Sequence, residues 1–395
     1  MAGRLKDVTA RSSVLIDATP ALDENGFRGI GRFVRELLSG LSETRSAWSP
    51  RLSIRALFGL NPSGGVEISE DLASVAEWLG ARGGSITNAA LIEQRRRSLA
   101  RAAHTSSILH VSVASDTPAF VHPRTVVTCH DLIPLLMPRA YLEGGNLRFA
   151  QRWLDEYVRH RFAARIVAIS NRTRDDLVRV LRVRTARIDV VSNGIDLSRW
   201  SPRPGPADTR RLREWALADT DYVLFVGSGD PRKGIGAMMQ AVARAQRARP
   251  LTLVWAGELS QSERRRHFME AYRLRVQPHV QFVGYVSDEE LAVLYRGAKA
   301  HIFMSTLEGF GLSVAEAMAS GCPVIVVRGS GADEVAGAAG VTVAPDDSAG
   351  AARAIEELCA NAGERSRRVA CGLERVALFG RQRMAEGYVE SWCKA

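Results

Sequence analysis

Residues 308–316 read Glu-Gly-Phe-Gly-Leu-Ser-Val-Ala-Glu, two carboxylates separated by a glycine pair and then an apolar run. Gly309, Phe310 and Gly311 predict a flexible loop of small residues whose amides can approach an anion, and Leu312 to Ser320 have the composition of a helix starting behind it. The first unbonded N–H groups and the positive end of the helix dipole favour a diphosphate at that point. Glu308 and Glu316 are anionic at neutral pH, so their natural partners are hydroxyl donors such as those of a ribose or a hexose. Loop and helix are therefore expected to hold phosphate while the carboxylates hold sugar.

Three further groups carry chemistry. Lys233 lies in the loop Pro231-Arg232-Lys233-Gly234, where it is either a solvated turn residue or a cation facing a ligand. His130 ends the apolar run Thr125–Cys129, and the C-terminal end of a parallel strand is where open α/β sheets bind ligands; a structural histidine beside a core strand is the plainer reading, and Asp131 suits a cap for the next turn. Gly29-Ile30-Gly31 precedes an amphipathic helix, Arg32 to Leu41, but Val34 stands where a dinucleotide fingerprint needs its third small residue, which disfavours a dehydrogenase. Asp219-Thr220-Asp221 is a DxD sequence, but it precedes a strand instead of ending one, so a turn is expected and no metal is called for.

The elements that must position these groups follow from size and pattern. At 395 residues the chain exceeds what one core supports, so two domains are expected. Apolar runs rich in β-branched residues alternate with amphipathic helical patterns, the sequence form of parallel sheets covered by helices. Strands are expected at 14–18, 52–58, 108–113, 125–130, 165–169 and 188–191 in the first half, and at 222–226, 251–256, 280–283, 300–304, 323–327 and 341–343 in the second. Each half reads as a Rossmann-like unit: residues 1–200, then 201–380, with the three prolines of Arg199 to Asp208 marking a linker and Arg381 to Lys394 forming a helix that packs back toward the first domain.

Hydrophobic residues make up 46% and charged residues 24%, as in a globular protein. Met1 to Thr9 lack a signal-like apolar stretch, and no run long enough to span a bilayer occurs, which predicts a soluble cytoplasmic protein. Five scattered cysteines show no metal or disulfide spacing. The net charge of +10 falls mostly in residues 1–200, with arginines dense at 95–97 and at Arg159, Arg161 and Arg165. This basic half is either a solvated surface or a face drawn to anionic lipid at the inner membrane face or to a phosphorylated acceptor. Nucleic acid is not expected, because no binding module accompanies the charge.

Together these segments resemble the retaining GT-B glycosyltransferases of the family 4 type, especially bacterial mannosyltransferase-like members. The resemblance rests on Glu308 to Glu316 followed by Ala317-Met318-Ala319-Ser320-Gly321-Cys322-Pro323, on Val283-Gly284-Tyr285-Val286-Ser287, on Ser192-Asn193-Gly194-Ile195-Asp196, on Phe225-Val226-Gly227 with Pro231 to Gly234, and on Gly29 to Arg32 and Cys129 to Pro134. It implies two Rossmann-like domains facing a central cleft, a nucleotide-sugar donor bound by the second, and an acceptor bound by the first. It also implies Glu308 at the donor hexose, Glu316 at the ribose, the amides of Phe310, Gly311, Leu312 and Ser313 at sugar and diphosphate, His130 at the sugar, and the Gly29–Gly31 loop closing over the diphosphate. Members often carry a basic residue where this chain has Ser228, which puts the cationic role on Lys233 with Arg232 beside it.

The implied reaction is metal-independent transfer of a hexose from a nucleotide diphosphate sugar, GDP- or UDP-linked, to a saccharide or lipid-linked acceptor hydroxyl with retention. Leaving-group stabilisation supplies most of the catalysis and no separate cofactor takes part. The Gly-Ile-Gly-Arg and His-Asp-Leu-Ile-Pro segments tilt the donor toward GDP-mannose. A nucleotide-sugar epimerase on the same fold and a non-catalytic nucleotide-sugar-binding subunit are the competing readings.

Overall fold

The computed structural model describes residues 12–22, 29–60, 66–82, 97, 99–113, 122–142 and 145–395; Met1 to Thr9, Arg95 and Arg96 lie outside them. The chain forms two compact units, one of Met1–Ile169, Thr173–Gly194 and Arg381–Ala395, the other of Ser170–Arg172 and Ile195–Gly380.

The first unit is built on a seven-stranded sheet: β1 (Ser12–Asp17), β2 (Leu52–Leu60), β3 (Val66–Ser69), β4 (Ile108–Val111), β5 (Thr125–Cys129), β6 (Arg165–Ala168) and β7 (Ile188–Val190), in the order β3-β2-β1-β4-β5-β6-β7. All neighbours are parallel except β2 and β3, which pair antiparallel. Alternate residues of each strand serve opposite faces, as strand geometry requires. Val14 and Ile16 pack with Phe33, Val34, Leu37 and Leu41 of α1 (Gly29–Glu43) and with Val75 and Leu79 of α2 (Leu72–Arg82). Leu15, Leu109 and Val127 pack on the other face with Leu177 and Leu181 of α4 (Asn171–Leu181), beside Phe149, Trp153 and Tyr157 of α3 (Gly145–Phe162).

The last helix, Arg381–Lys394, completes this unit. Tyr388 and Trp392 are fully buried in the α1 core. Trp392 Nε1–H donates to His110 Nδ1 at 3.3 Å, and the Tyr388 and Thr128 hydroxyls lie 3.0 Å apart. Near its end Ser391 donates to Asp189, whose carboxylate also takes two bonds from Arg165.

The second unit has a six-stranded parallel sheet of β8 (Tyr222–Val226), β9 (Thr252–Ala256), β10 (Val280–Gly284), β11 (Ala300–Phe303), β12 (Val324–Val327) and β13 (Val341–Val343), in the order β10-β9-β8-β11-β12-β13. Chain order reverses between β8 and β11, the switch point at which open sheets leave a crevice. Its helices include α5 (Ile235–Ala245), α6 (Gln261–Arg273), α7 (Asp288–Gly297) and α8 (Leu312–Ala319). Capping boxes start α6 at Ser260 and Glu263 and α7 at Ser287 and Glu290.

Three readings of the sequence change. Val66–Ser69 is a strand that was not expected. Gly29 and Gly31 occupy the first turn of α1 instead of a loop before it, because the apolar stripe from Phe33 onward carries the helix back to Gly29 and buries Gly31. The proline-rich segment Arg199 to Asp208 lies inside the second unit, where Arg296 pairs with the Asp208 carboxylate at 2.6 and 2.8 Å and donates to the Ser201 carbonyl. The chain passes from one unit to the other between Gly194 and Ile195.

Candidate active site

In the second unit, β8 and β11 lie side by side at the switch point and each releases a functional loop from its C-terminal end. The loop after β8 carries Ser228, Arg232 and Lys233. Ser228 is exposed immediately beyond the strand. Behind it, Trp255 Nε1–H donates to the Gly227 carbonyl at 2.9 Å and Arg266 to the Gly229 carbonyl at 3.1 Å, so the loop is held by β9 and α6. Asp230 accepts the Arg232 amide and caps the short turn Pro231–Lys233. Gly234 closes it at φ 63°, where a Cβ would stand 2.3 Å from the Met304 carbonyl oxygen, so the two loops approach too closely for any side chain there.

The loop after β11 carries Glu308. It is stitched to the first loop by the Thr306 amide, which donates to the Arg232 carbonyl at 3.0 Å. Glu308 Oε2 accepts from Arg232 Nη1 at 2.5 Å, from Lys233 Nζ at 2.9 Å and from Ser305 Oγ at 3.2 Å. The sequence assigned Glu308 hydroxyl partners; in the structure its partners include two cations. Burial works to raise the Glu308 pKa, but Lys233 and Arg232 outweigh it and hold the carboxylate ionised below its ordinary range. Burial lowers the Lys233 pKa against the pull of Glu308. Its ammonium also lies 4.7 Å from the Phe303 ring centroid, an electrostatically favourable position for a cation. Asp230 Oδ2 also lies 3.6 Å from Arg232 Nε, so two cations and two carboxylates form one mostly buried ionic cluster.

That cluster adjoins a helix start. Gly311, at φ 112°, is the N-cap of α8, and no side chain caps it. Its carbonyl accepts from Val314 and Ala315, while among the described residues no acceptor reaches the amides of Gly311, Leu312 and Ser313. These are orphan donors at the positive end of a helix dipole. Phe310 contributes backbone alone, since its ring is buried edge-on against Phe379 at 5.5 Å. Glu316 is buried on the next turn of α8. Behind Glu308, the Gly331 amide donates to the Glu308 carbonyl at 3.0 Å and fixes the loop.

The sequence reading missed His301. This fully buried residue of β11 bonds the Leu224 carbonyl through Nδ1 at 2.9 Å, which makes Nδ1 the protonated nitrogen and leaves Nε2 to accept from Ser313 Oγ at 3.3 Å. Burial pushes its pKa down to about 4, so it is neutral and fixes the Ser313 hydroxyl as a donor toward it. Position 301 falls in the apolar run 300–304, and nothing in that run distinguishes a positioned histidine from a core one.

In the first unit, His130 follows β5 and bonds the Ser112 carbonyl, just beyond β4, through Nε2 at 2.9 Å. A carbonyl only accepts, so Nε2 carries the proton and Nδ1 keeps a lone pair. Burial lowers the pKa to about 4, and the Phe33 ring packs against the imidazole at 4.8 Å. His130 is thus a neutral, oriented hydrogen-bond acceptor. Asp131 accepts the Ile133 amide at 2.9 Å and caps the turn. Gly29 is exposed and Gly31 buried at the start of α1.

The structure therefore brings Arg232, Lys233 and Glu308 into direct contact beside the amides of Gly311 to Ser313, with Ser228 on the same loop as the cations. Asp219 lies in a turn, and Asp221 pairs with Arg249 and Lys299. Among the described residues no cluster of His, Cys, Asp or Glu side chains is arranged to hold a metal ion.

Residues 210–372 match the family model described as glycosyl transferases group 1, and residues 80–199 match that of glycosyltransferase family 4. The chain is 30% identical over 232 residues to O-antigen chain mannosyltransferase B of Escherichia coli, an alignment covering 57% of this chain and 58% of that protein. The chain spans about half the length of the curated relatives it matches. Its fold matches sucrose-phosphate synthase from Thermosynechococcus elongatus with a TM-score of 0.74 at 22% identity, covering 96% of this chain and 98% of that one. It also matches Anabaena HepE in complex with UDP and glucose with a TM-score of 0.72 at 18% identity, covering 98% and 100%. The two family models fall on successive stretches that together make up most of the sequence, and the chain belongs to the GT-B glycosyltransferases of the family 4 type.

Proposed function

We propose that this protein transfers a hexosyl group from a nucleotide diphosphate sugar to an acceptor hydroxyl in glycan biosynthesis. The observation that carries the reading is the pair of cations, Arg232 and Lys233, gathered on Glu308 beside the uncapped, positive start of α8. A diphosphate fits that field: the cations and the amides of Gly311, Leu312 and Ser313 oppose its charge, and Ser228 offers a hydroxyl from the same loop. As the diphosphate draws Arg232 and Lys233 toward itself, Glu308 exchanges cations for donor-sugar hydroxyls, and Glu316 takes the ribose. The same cations stabilise the charge that develops on the departing nucleoside diphosphate, a transition-state effect worth about 3 kcal/mol per contact.

In this reading the first unit takes the acceptor, a saccharide or a lipid-linked saccharide. His130 accepts a hydroxyl of the donor sugar through Nδ1, and the start of α1 at Gly29 and Gly31 adds amides for the diphosphate. Transfer proceeds with retention, as the family resemblance implies, and without a metal, whose place at the leaving group Arg232, Lys233 and the α8 amides take. Mannose from GDP-mannose is the preferred donor, supported by the similarity to a mannosyltransferase.

Thermal-shift measurements across GDP- and UDP-sugars test the donor, since a ligand of the native state raises its melting temperature by mass action. GDP-mannose is expected to give the largest shift. Transfer to an acceptor panel in the presence of a chelator, with the anomeric configuration read by NMR, tests the rest. Absence of transfer with every donor, an inverted product, or full loss of activity on chelation contradicts the corresponding part.

A further inference from the structure

The outer surface of α3 is unlike the rest of the first unit. Leu147, Leu154 and Phe162 are 70%, 55% and 54% exposed, and at about 100° per residue they fall, with half-buried Val158, within about 80° of one helix face. The stripe runs about 22 Å along the helix. Arginines flank it: Arg148 near its start and Arg161 near its end, with Arg182 and Arg184 exposed on the segment that leads into β7. The other arginines of this region are used internally, Arg152 by Glu156, Arg159 by Asp155 and Arg179 by Asp176. Among the described residues, no carboxylate pairs with Arg148, Arg161, Arg182 or Arg184.

The arginines also crowd one another. Arg187 donates to the carbonyls of Arg161 and His160, and burial together with the charges of Arg161, Arg184 and Arg165 lowers its pKa. Asp189 balances Arg165, which leaves Arg161, Arg184 and Arg187 with no carboxylate partner among the described residues; such a group is poised for an external anion, and a solvated basic surface does not need large apolar side chains laid along it. An anionic bilayer supplies both complements, headgroup charge for the arginines and an acyl boundary for the leucines. No described helix is long and apolar enough to cross a membrane, so the contact is interfacial.

We propose that the stripe Leu147–Leu154–Phe162, with Arg148, Arg161, Arg182 and Arg184, docks the first unit on the surface of an anionic lipid bilayer. The stripe includes none of the residues assigned to the donor site, so its test is independent of any transfer activity. The full chain is sedimented with vesicles of phosphatidylcholine alone and with vesicles in which phosphatidylglycerol replaces part of it, at low and high salt.

Binding is expected only to the anionic vesicles and is expected to weaken with salt. Leu147→Gln with Leu154→Gln, and separately Arg161→Glu with Arg184→Glu, should each weaken it about tenfold or more, while Arg161→Lys with Arg184→Lys retains it. All positions are at the surface, and an unchanged melting temperature verifies the fold. Failure of the parent chain to bind anionic vesicles, equal binding to phosphatidylcholine, or parental binding by both disruptive variants overturns the proposal. So does a chain that the stripe closes into a dimer, detected by sedimentation velocity and abolished by the leucine variants.

Discussion

Lys233 Nζ stands 2.9 Å from Glu308 Oε2, the same oxygen that Arg232 contacts, so one carboxylate bridges two cations. Lys233→Ala removes the more deeply buried cation. Steady-state transfer is expected to fall by about a hundredfold, the equivalent of about 3 kcal/mol of leaving-group stabilisation. Lys233→Arg should not restore it, because the larger, planar guanidinium does not fit the space that the compact ammonium fills between Glu308 and the Phe303 ring. Unchanged turnover and donor affinity in the alanine variant would assign the diphosphate elsewhere.

Glu308→Gln leaves the shape of the loop but removes the charge that anchors Arg232 and Lys233. The two cations then repel with less compensation, and a free nucleoside diphosphate should relieve that repulsion. The variant is expected to melt lower than the parent without ligand, and to gain more from added diphosphate while losing transfer. Calorimetric melting with and without ligand measures both differences.

Acid should weaken the fold in two windows. His301 and His130 have pKa values near 4, against 6.5 for an unperturbed imidazole, so between those values the unfolded chain binds more protons and stability falls as pH falls. For fully buried His301 the full loss is on the order of 3 kcal/mol. Glu308 has a depressed pKa, so its contribution is present above the ordinary value of 4.5 and is lost as pH drops through its lower folded value. Urea midpoints measured from pH 7 to 4 should decline throughout, and His301→Gln should flatten the upper part of that decline.

Gly234 and Gly329 separate backbone strain from close approach. Both have positive φ, 63° and 77°, but a Cβ at 234 meets the Met304 carbonyl at 2.3 Å while one at 329 meets nothing within 4 Å. Gly329→Ala should cost about 1 kcal/mol from the left-handed conformation alone. Gly234→Ala should cost clearly more and also impair donor binding, because relief of the clash must move the loop that carries Lys233. Equal changes in melting temperature would mean that the two loops yield without cost.

Much of this was legible in the residues themselves. The parallel strands carry continuous apolar runs because both sheet faces are covered, and such runs stand out in sequence. Val66–Ser69 does not, being a four-residue edge strand whose identity depends on antiparallel pairing with β2. Gly29 and Gly31 were read as loop from local preference, which burial of the α1 stripe overrode. Glu308 and Lys233 were each singled out, but their contact spans 75 residues and depends on adjacent positions for β8 and β11. His301 and the Trp392–His110 pair, 282 residues apart, are tertiary pairings with no local signature.

The assignment of Arg381–Lys394 to the first unit sets an order of events during synthesis. The second unit is contiguous apart from three residues, and its ends meet where the Ile195 amide donates to the Phe379 carbonyl, so it can close as soon as it has been made. The first unit cannot. His110, Thr128 and Phe33 wait for Tyr388 and Trp392, which follow the whole of the second unit along the chain, so part of the first unit's apolar surface stays uncovered until the second unit has been made.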